Sequence, residues 1–131
     1  MPNENRMSLM RLRLDQARNS LEDALLLLNA GSYKGAANRS YYCQFHTMRA
    51  VLAIDGFDSK RHSGIISEFQ RRYIKTGVFH KEFSRLIEAA FDVRNSSDYK
   101  DFFVISKEDV AEQIKNAKTF LAAVEAYLQT L

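Results

Sequence analysis

SKEDVAEQIKNAKTFLAAVEAYLQTL, residues 106–131, decides the fold. Ser106 followed by Lys107, Glu108 and Asp109 resembles a capping box, in which an oxygen just ahead of a helix accepts from the free amides of its first turn. Behind it Val110, Ile114, Ala117, Leu121, Val124, Leu128 and Leu131 alternate in steps of four and three. This gives a narrow apolar seam suited to a neighbouring helix in a bundle, with the Lys and Glu side chains of the outer face in water.

The rest of the chain supplies the neighbours. Met10, Leu14, Ala17, Leu21, Ala24 and Leu28 keep the same alternation over a helix from about Met7 to Ala30, stopped by Gly31. Ser32 stands ready to cap a second helix, about Tyr33 to Ile54, whose packing stripe is Ala37, Tyr41, Phe45, Met48 and Leu52. A turn-rich segment from Asp55 leads to a short third helix, roughly Gly64 to Ile74, ended by Thr76-Gly77. A fourth helix begins near Lys81 with Phe83, Leu86, Ile87, Ala90 and Phe91 on one face. The single proline lies at position 2, tryptophan is absent and the five glycines fall mostly at joints. The sequence therefore predicts an all-α, antiparallel bundle of about five helices, one domain over residues 1–131.

Composition narrows the function. An apolar content of 46% with 27% charged residues suits a globular domain with a real core. The formal charge of +3 is compatible with an RNA partner but far below that of a dedicated nucleic-acid scaffold. One cysteine, Cys43, excludes an intrachain disulfide and Cys-rich metal frameworks, and is expected to be a small buried apolar residue. No two of the three histidines have the short helical spacing of a metal site, so no metal and no cofactor is expected. The opening Met-Pro-Asn-Glu-Asn-Arg has no hydrophobic signal core, and the run Leu25 to Leu28 is too short to cross a bilayer. A cytoplasmic protein without a membrane anchor is the expectation.

Two places depart from packing logic. On helix four the position one turn beyond Phe91 falls to Arg94, and Ser96, Ser97 and Asp98 then follow, poor residues for a helix interior. The helix is expected to loosen there. On helix two a second stripe, Arg39, Tyr42, His46 and Arg49, runs beside the packing stripe. Arg94 either pairs with Asp98 four residues on, in the less favourable order, or holds a phosphate through its planar guanidinium. Tyr99 either anchors the helix end or serves the same site. His46 either fills an interhelical groove with Tyr42 or acts as a base beside a phosphate-binding wall of Arg39, Tyr42 and Arg49. His62 and His80 are expected in solvent, Arg71 and Arg72 as surface charge, and Lys60 to Gly64 as a capping loop or an anion site.

Ala37-Asn38-Arg39-Ser40-Tyr41-Tyr42, Phe45-His46, His62-Ser63-Gly64, Ile74-Lys75-Thr76-Gly77 and Arg94 through Asp98-Tyr99 resemble, in order and spacing, the HEPN domain family of prokaryotic helical-bundle proteins. The resemblance covers roughly residues 10 to 128. It implies a bundle that commonly forms a homodimer and is often encoded beside a minimal nucleotidyltransferase as a toxin and antitoxin pair. Many members are metal-independent ribonucleases, with a motif of an arginine, a polar residue, three variable residues and a histidine. Arg94 and Asn95 match its first two positions, and Tyr99 stands in the histidine's place. The resemblance thus implies a catalytic set of Arg94 and Asn95 with Tyr99 or His46 in proton transfer, and an RNA- or nucleotide-binding surface of Arg39, Tyr42, Arg49 and Asp98. It further implies that Tyr99 is a hydroxyl the partner enzyme can adenylylate.

Histidine exchanges protons near neutrality, whereas tyrosine, with a pKa of about 10, is a poor base. Two functions therefore stand side by side: a toxin acting on RNA, and a non-catalytic module binding nucleotide, RNA or protein with a degenerate nuclease motif. Residues five apart on an ideal helix lie roughly 140° apart around its axis. Either the helix breaks between Arg94 and Tyr99 or their partners differ, and a dimer can supply the same convergence across its two-fold axis.

Overall fold

The computed structural model describes residues 3–99 and 104–131, with the side chains of residues 97–99 outside that description. It contains α1 (Glu4–Asn29), α2 (Tyr33–Ile54), α3 (His62–Phe69), α4 (Glu82–Tyr99) and α5 (Lys107–Leu128), and α3 runs on into a single π-helical turn, Gln70–Ile74. The fold is an all-α helical bundle, with no strand among the described residues.

α1 starts before its apolar pattern does, because the Asn3 side chain accepts the Arg6 backbone N–H at 2.8 Å. At its other end the N–H groups of Gly31 and Ser32 close onto the Leu28 and Leu27 carbonyls, and α2 follows as an antiparallel partner. Ser32 occupies the capping position of α2, yet its hydroxyl caps nothing; its N–H closes α1 and its carbonyl accepts the Ala36 N–H that opens α2.

α2 is the axis of the molecule. It buries fourteen of its 22 residues, including the whole expected stripe from Ala37 to Leu52. Cys43 is among them, and burial pushes its thiol up to about 12. α5 packs along one side of α2, with Val110, Ile114, Ala117, Leu121, Val124 and Leu128 buried as the seam requires. Leu131 lies past the helix end and is 52% exposed, so the seam is one residue shorter than expected. Ser106 Oγ accepts the Asp109 N–H at 3.0 Å, as the capping box predicts.

A polar strip crosses this core. Gln113 Nε2 donates to the Ala37 carbonyl at 3.0 Å and to Ser40 Oγ at 2.6 Å. One turn along α2, Gln44 is 1% exposed, and neither its amide nitrogen nor its oxygen has a hydrogen-bond partner.

The link from α2 to α3 is fixed by charge. Arg13 of α1, 6% exposed, donates to Asp58 Oδ2 at 3.1 Å and to the Arg49 carbonyl at 3.2 Å. Arg49 grips the same carboxylate through Nε at 3.2 Å and Nη2 at 2.9 Å. Burial alone would raise the Asp58 pKa, but the hydrogen bonds from Arg49 and from the Ser59 N–H, with the charges of both arginines, bring it below the usual carboxylate value. Gly56, at φ +75°, turns the chain out of α2 in a conformation that costs other residues more. Ser59 then folds so close to α3 that a Cβ on Gly64 would meet its hydroxyl at 2.5 Å. α3 consequently begins two residues earlier than the apolar pattern shows, at His62.

α4 packs mainly on α2 with Ile87 and Ala90 buried, and it does not loosen at Ser96. The helix runs through Ser96, Ser97 and Asp98 to Tyr99. Such residues disfavour a helix by only about half a kcal/mol each, too little to stop one already nucleated and packed.

The unpartnered amide of Gln44 yields a prediction. Gln44→Met keeps the volume and removes two buried polar atoms, so it should raise unfolding free energy by about 1 kcal/mol or more. Urea titration reads this directly, and a lower stability for Gln44→Met would contradict it.

Candidate functional site

Helical spacing places Arg39, Tyr42, His46 and Arg49 on the one face of α2 that the other helices leave open. Immediately beneath are the buried rings of Tyr41 and Phe45. α4 brings Arg94 over this surface. Its guanidinium carbon lies 5.5 Å from the Tyr41 ring centre and 5.7 Å from that of Tyr42, with Nη2 3.4 Å from the Tyr42 hydroxyl. Arg39 covers the Tyr42 ring at 4.7 Å while donating twice to Asn38 Oδ1, at 2.8 and 3.2 Å. Two guanidinium groups thus share one half-buried aromatic ring, each such contact contributing about 0.5–1 kcal/mol.

α3 contributes the residue that sequence reasoning placed in solvent. His62 is half-buried. Its ring stacks on Phe45 with centres 4.1 Å apart and planes 20° apart, meets Tyr42 edge-on at 5.7 Å, and bonds the Tyr41 hydroxyl through Nδ1 at 2.7 Å. The expectation failed because the partners of His62 lie on another helix, 17 to 21 residues earlier, and the folded link through Asp58 brings them together. His80, by contrast, is exposed as expected.

The electrostatics separate the two histidines of the site. His46 is pushed down to about 4, first by burial and then by Arg49, Arg39, Arg13 and His62, and its Nδ1 is buried without a hydrogen-bond partner. His62 is lowered by burial and by the charges of Arg94 and Arg49. Burial raises the Tyr41 pKa, so its hydroxyl stays protonated.

The structure therefore assembles Arg39, Tyr42, His46 and Arg94, and adds His62. Asn95 is half-buried one residue beyond Arg94 on α4. Arg49 borders the site with its guanidinium committed to Asp58. The side chains of Asp98 and Tyr99 lie outside the described residues, and with them any Arg94–Asp98 pair. Because α4 is continuous, backbone positions 94 and 99 sit on different sides of its axis, roughly 140° apart. Arg71 and Arg72 belong elsewhere, tied to Glu68. Among the described residues no group of His, Cys, Asp or Glu is arranged to hold a metal ion, and no helix is long and apolar enough to cross a membrane.

Cationic groups thus lie over aromatic rings beside a half-buried imidazole, on the axis of an all-α helical bundle. The chain belongs to the HEPN domain family, whose model matches residues 10–127. It is similar to a Thermotoga maritima protein named "UPF0332 protein", 34% identical over 116 residues that span 88% of each chain. It is also similar to a Methanocaldococcus jannaschii protein named "Putative toxin", 30% identical over 88% of this chain and 78% of that one. An Archaeoglobus fulgidus protein named "UPF0332 protein" is 32% identical over 84% of this chain and 87% of its own.

His46 gives the site a pH signature. Its proton is bound more readily in the unfolded chain, whose histidine titrates near 6.5, than in the folded one at about 4. Stability should therefore be lost as pH falls from about 6.5 toward 4 and gained as it rises through that window. NMR titration of the imidazole should find His46 uncharged at pH 5.5; a midpoint near 6.5 would contradict the burial of its ring.

Proposed function

We propose that the protein is the HEPN component of a toxin and antitoxin module that acts through RNA, with a minimal nucleotidyltransferase as its antitoxin. The observation that carries this reading is the Tyr42 ring flanked by the guanidinium groups of Arg39 and Arg94. A planar guanidinium binds phosphate bidentately, and guanidinium planes and a half-buried aromatic ring beside it offer a base flat groups to pack against. One nucleotide unit of RNA has both parts. The toxin role is supported by family membership and by a relative bearing that name.

Arg94 binds the phosphate in this reading, Arg39 and Tyr42 hold the adjoining nucleotide, and Asn95 orients the phosphate from the same helix. A homodimer that brings two α4 ends to a common axis lets Asp98 and Tyr99 of one copy complete the surface of the other, since positions 94 and 99 lie on different sides of α4. A second reading, a binding module that cuts nothing, draws support from the tyrosine at position 99 and from the depressed, enclosed His46.

The test compares two arginines. Arg94→Ala should weaken binding of single-stranded RNA, followed by fluorescence anisotropy, by roughly 1.5 to 3 kcal/mol, or about ten- to a hundredfold. Arg71→Ala, at an exposed residue paired with Glu68, should leave affinity within about twofold, as expected of a surface charge. Equal affinities for the two variants would place the RNA elsewhere.

A further inference from the structure

We propose that His62 is the proton-exchanging group of an RNA-cleaving site on this surface, with Tyr41 as the residue that positions it. The inference rests on the surface being the RNA site, and its first support is geometric. The His62 ring is fixed by a face-on stack with Phe45 at 4.1 Å, by the edge of Tyr42 at 5.7 Å and by the Tyr41 hydroxyl at 2.7 Å from Nδ1. Tyr41 is fully buried, and His62 is the hydrogen-bond partner of its hydroxyl. An imidazole held on one nitrogen by an orienting group, with the other left open, is the arrangement of a general base. Here the open nitrogen is Nε2, which makes no hydrogen bond among the described residues and is not enclosed.

The second support is the shared platform. Arg94 and His62 both lie against Tyr41 and Tyr42, so a phosphate held by Arg94 brings its neighbouring ribose to the same pair of rings. The charged and titratable groups around His62 are Tyr41, Tyr42, His46 and Arg49 of α2 and Arg94 of α4, with Asp58 bound to Arg49 beside them. Burial first, and then the charges of Arg94 and Arg49, favour the neutral imidazole, the form that accepts a proton. His46 is the weaker candidate, since its Nδ1 has no partner to orient the ring.

The step balances on RNA alone. Nε2 takes the proton of a ribose 2′-hydroxyl as the 2′-oxygen forms its bond to the adjacent phosphorus. Nδ1–H donates to the Tyr41 oxygen before and after this transfer, the tautomer that leaves Nε2 able to accept, and Arg94 compensates the charge gathered on the phosphoryl oxygens. The P–O5′ bond breaks, and the leaving 5′-oxygen takes the proton back from the imidazolium. The products are a 2′,3′-cyclic phosphate and a 5′-hydroxyl.

The full chain, incubated with a fluorophore-labelled single-stranded RNA of mixed sequence, tests this. The wild type should cut the RNA to 2′,3′-cyclic phosphate ends, identified by mass spectrometry, and leave the all-deoxy strand whole. His62→Gln should lower the rate by about 10²- to 10⁴-fold while RNA affinity and melting temperature stay near wild type. Free imidazole should restore part of the rate to His62→Ala, a rescue that a merely structural role would not allow. Tyr41→Phe should lower kcat and leave KM unchanged. Wild-type cleavage by His62→Gln would overturn the proposal. So would a wild type that binds RNA through Arg94 and does not cut it, a result that leaves the RNA site standing; failure to bind RNA at all would remove both.

Discussion

Asp58 is held by two guanidinium groups from two different helices, and the position of the site depends on that grip. An exposed ion pair contributes little, about 0 to 1 kcal/mol. This one differs because Arg13 is 6% exposed, and a buried cation without its anion costs several kcal/mol. The carboxylate that relieves Arg13 ties the link after α2 back to α1, as Asp55, which accepts the Tyr73 hydroxyl at 2.7 Å, ties it to the π-helical turn. From Asp58 the path through Ser59 to the close approach at Gly64 sets the first turn of α3, and His62 sits in that turn. The same carboxylate holds Arg49 at the border of the site, while Arg39 and Arg94 lie over the Tyr42 ring.

α2 serves two purposes at once because helical geometry gives neighbouring residues different faces. Tyr41 and Phe45 point into the core, and Tyr42 and His46 look out between α3 and α4. The buried rings are thereby the floor of the site. A surface so arranged is already in place before a ligand arrives, and little side-chain freedom remains to be lost on binding. It also explains why the site lies on the most buried helix: loops move, whereas Tyr42 and Arg39 cannot shift without disturbing the packing beneath them.

Much of this was legible in residues taken one helix at a time. The seam of α5, the Arg94 that interrupts the face of α4 and the second stripe of α2 are all local patterns; the seam is buried through Leu128, and Arg39, Tyr42 and His46 are each half-buried on α2. What the sequence concealed is long-range. The Arg13–Asp58 pair spans 45 residues and the Tyr41–His62 bond 21, and neither leaves a trace in spacing. Arg49 looked like part of a phosphate wall because nothing near it in sequence announced Asp58 as its partner. The serines after Arg94 suggested a break because propensity is a local quantity, and packing against α2 outweighed it. Gln113 and Phe120 lie beside the seam, and only tertiary contacts bury them, Gln113 on α2 and Phe120 against Phe69 of α3 and Phe83 of α4.

The claim that the cation–aromatic surface of α2 and α4 receives RNA is tested most directly by NMR titration of the full chain with a short single-stranded RNA. The account predicts that the largest shifts appear at the Arg94 and Arg39 guanidinium N–H groups, the Tyr42 ring and the His62 imidazole. Shifts centred instead on Arg6, Arg71 and Arg72, which line a groove at the far end of α2, with the α2 surface unmoved, would contradict it.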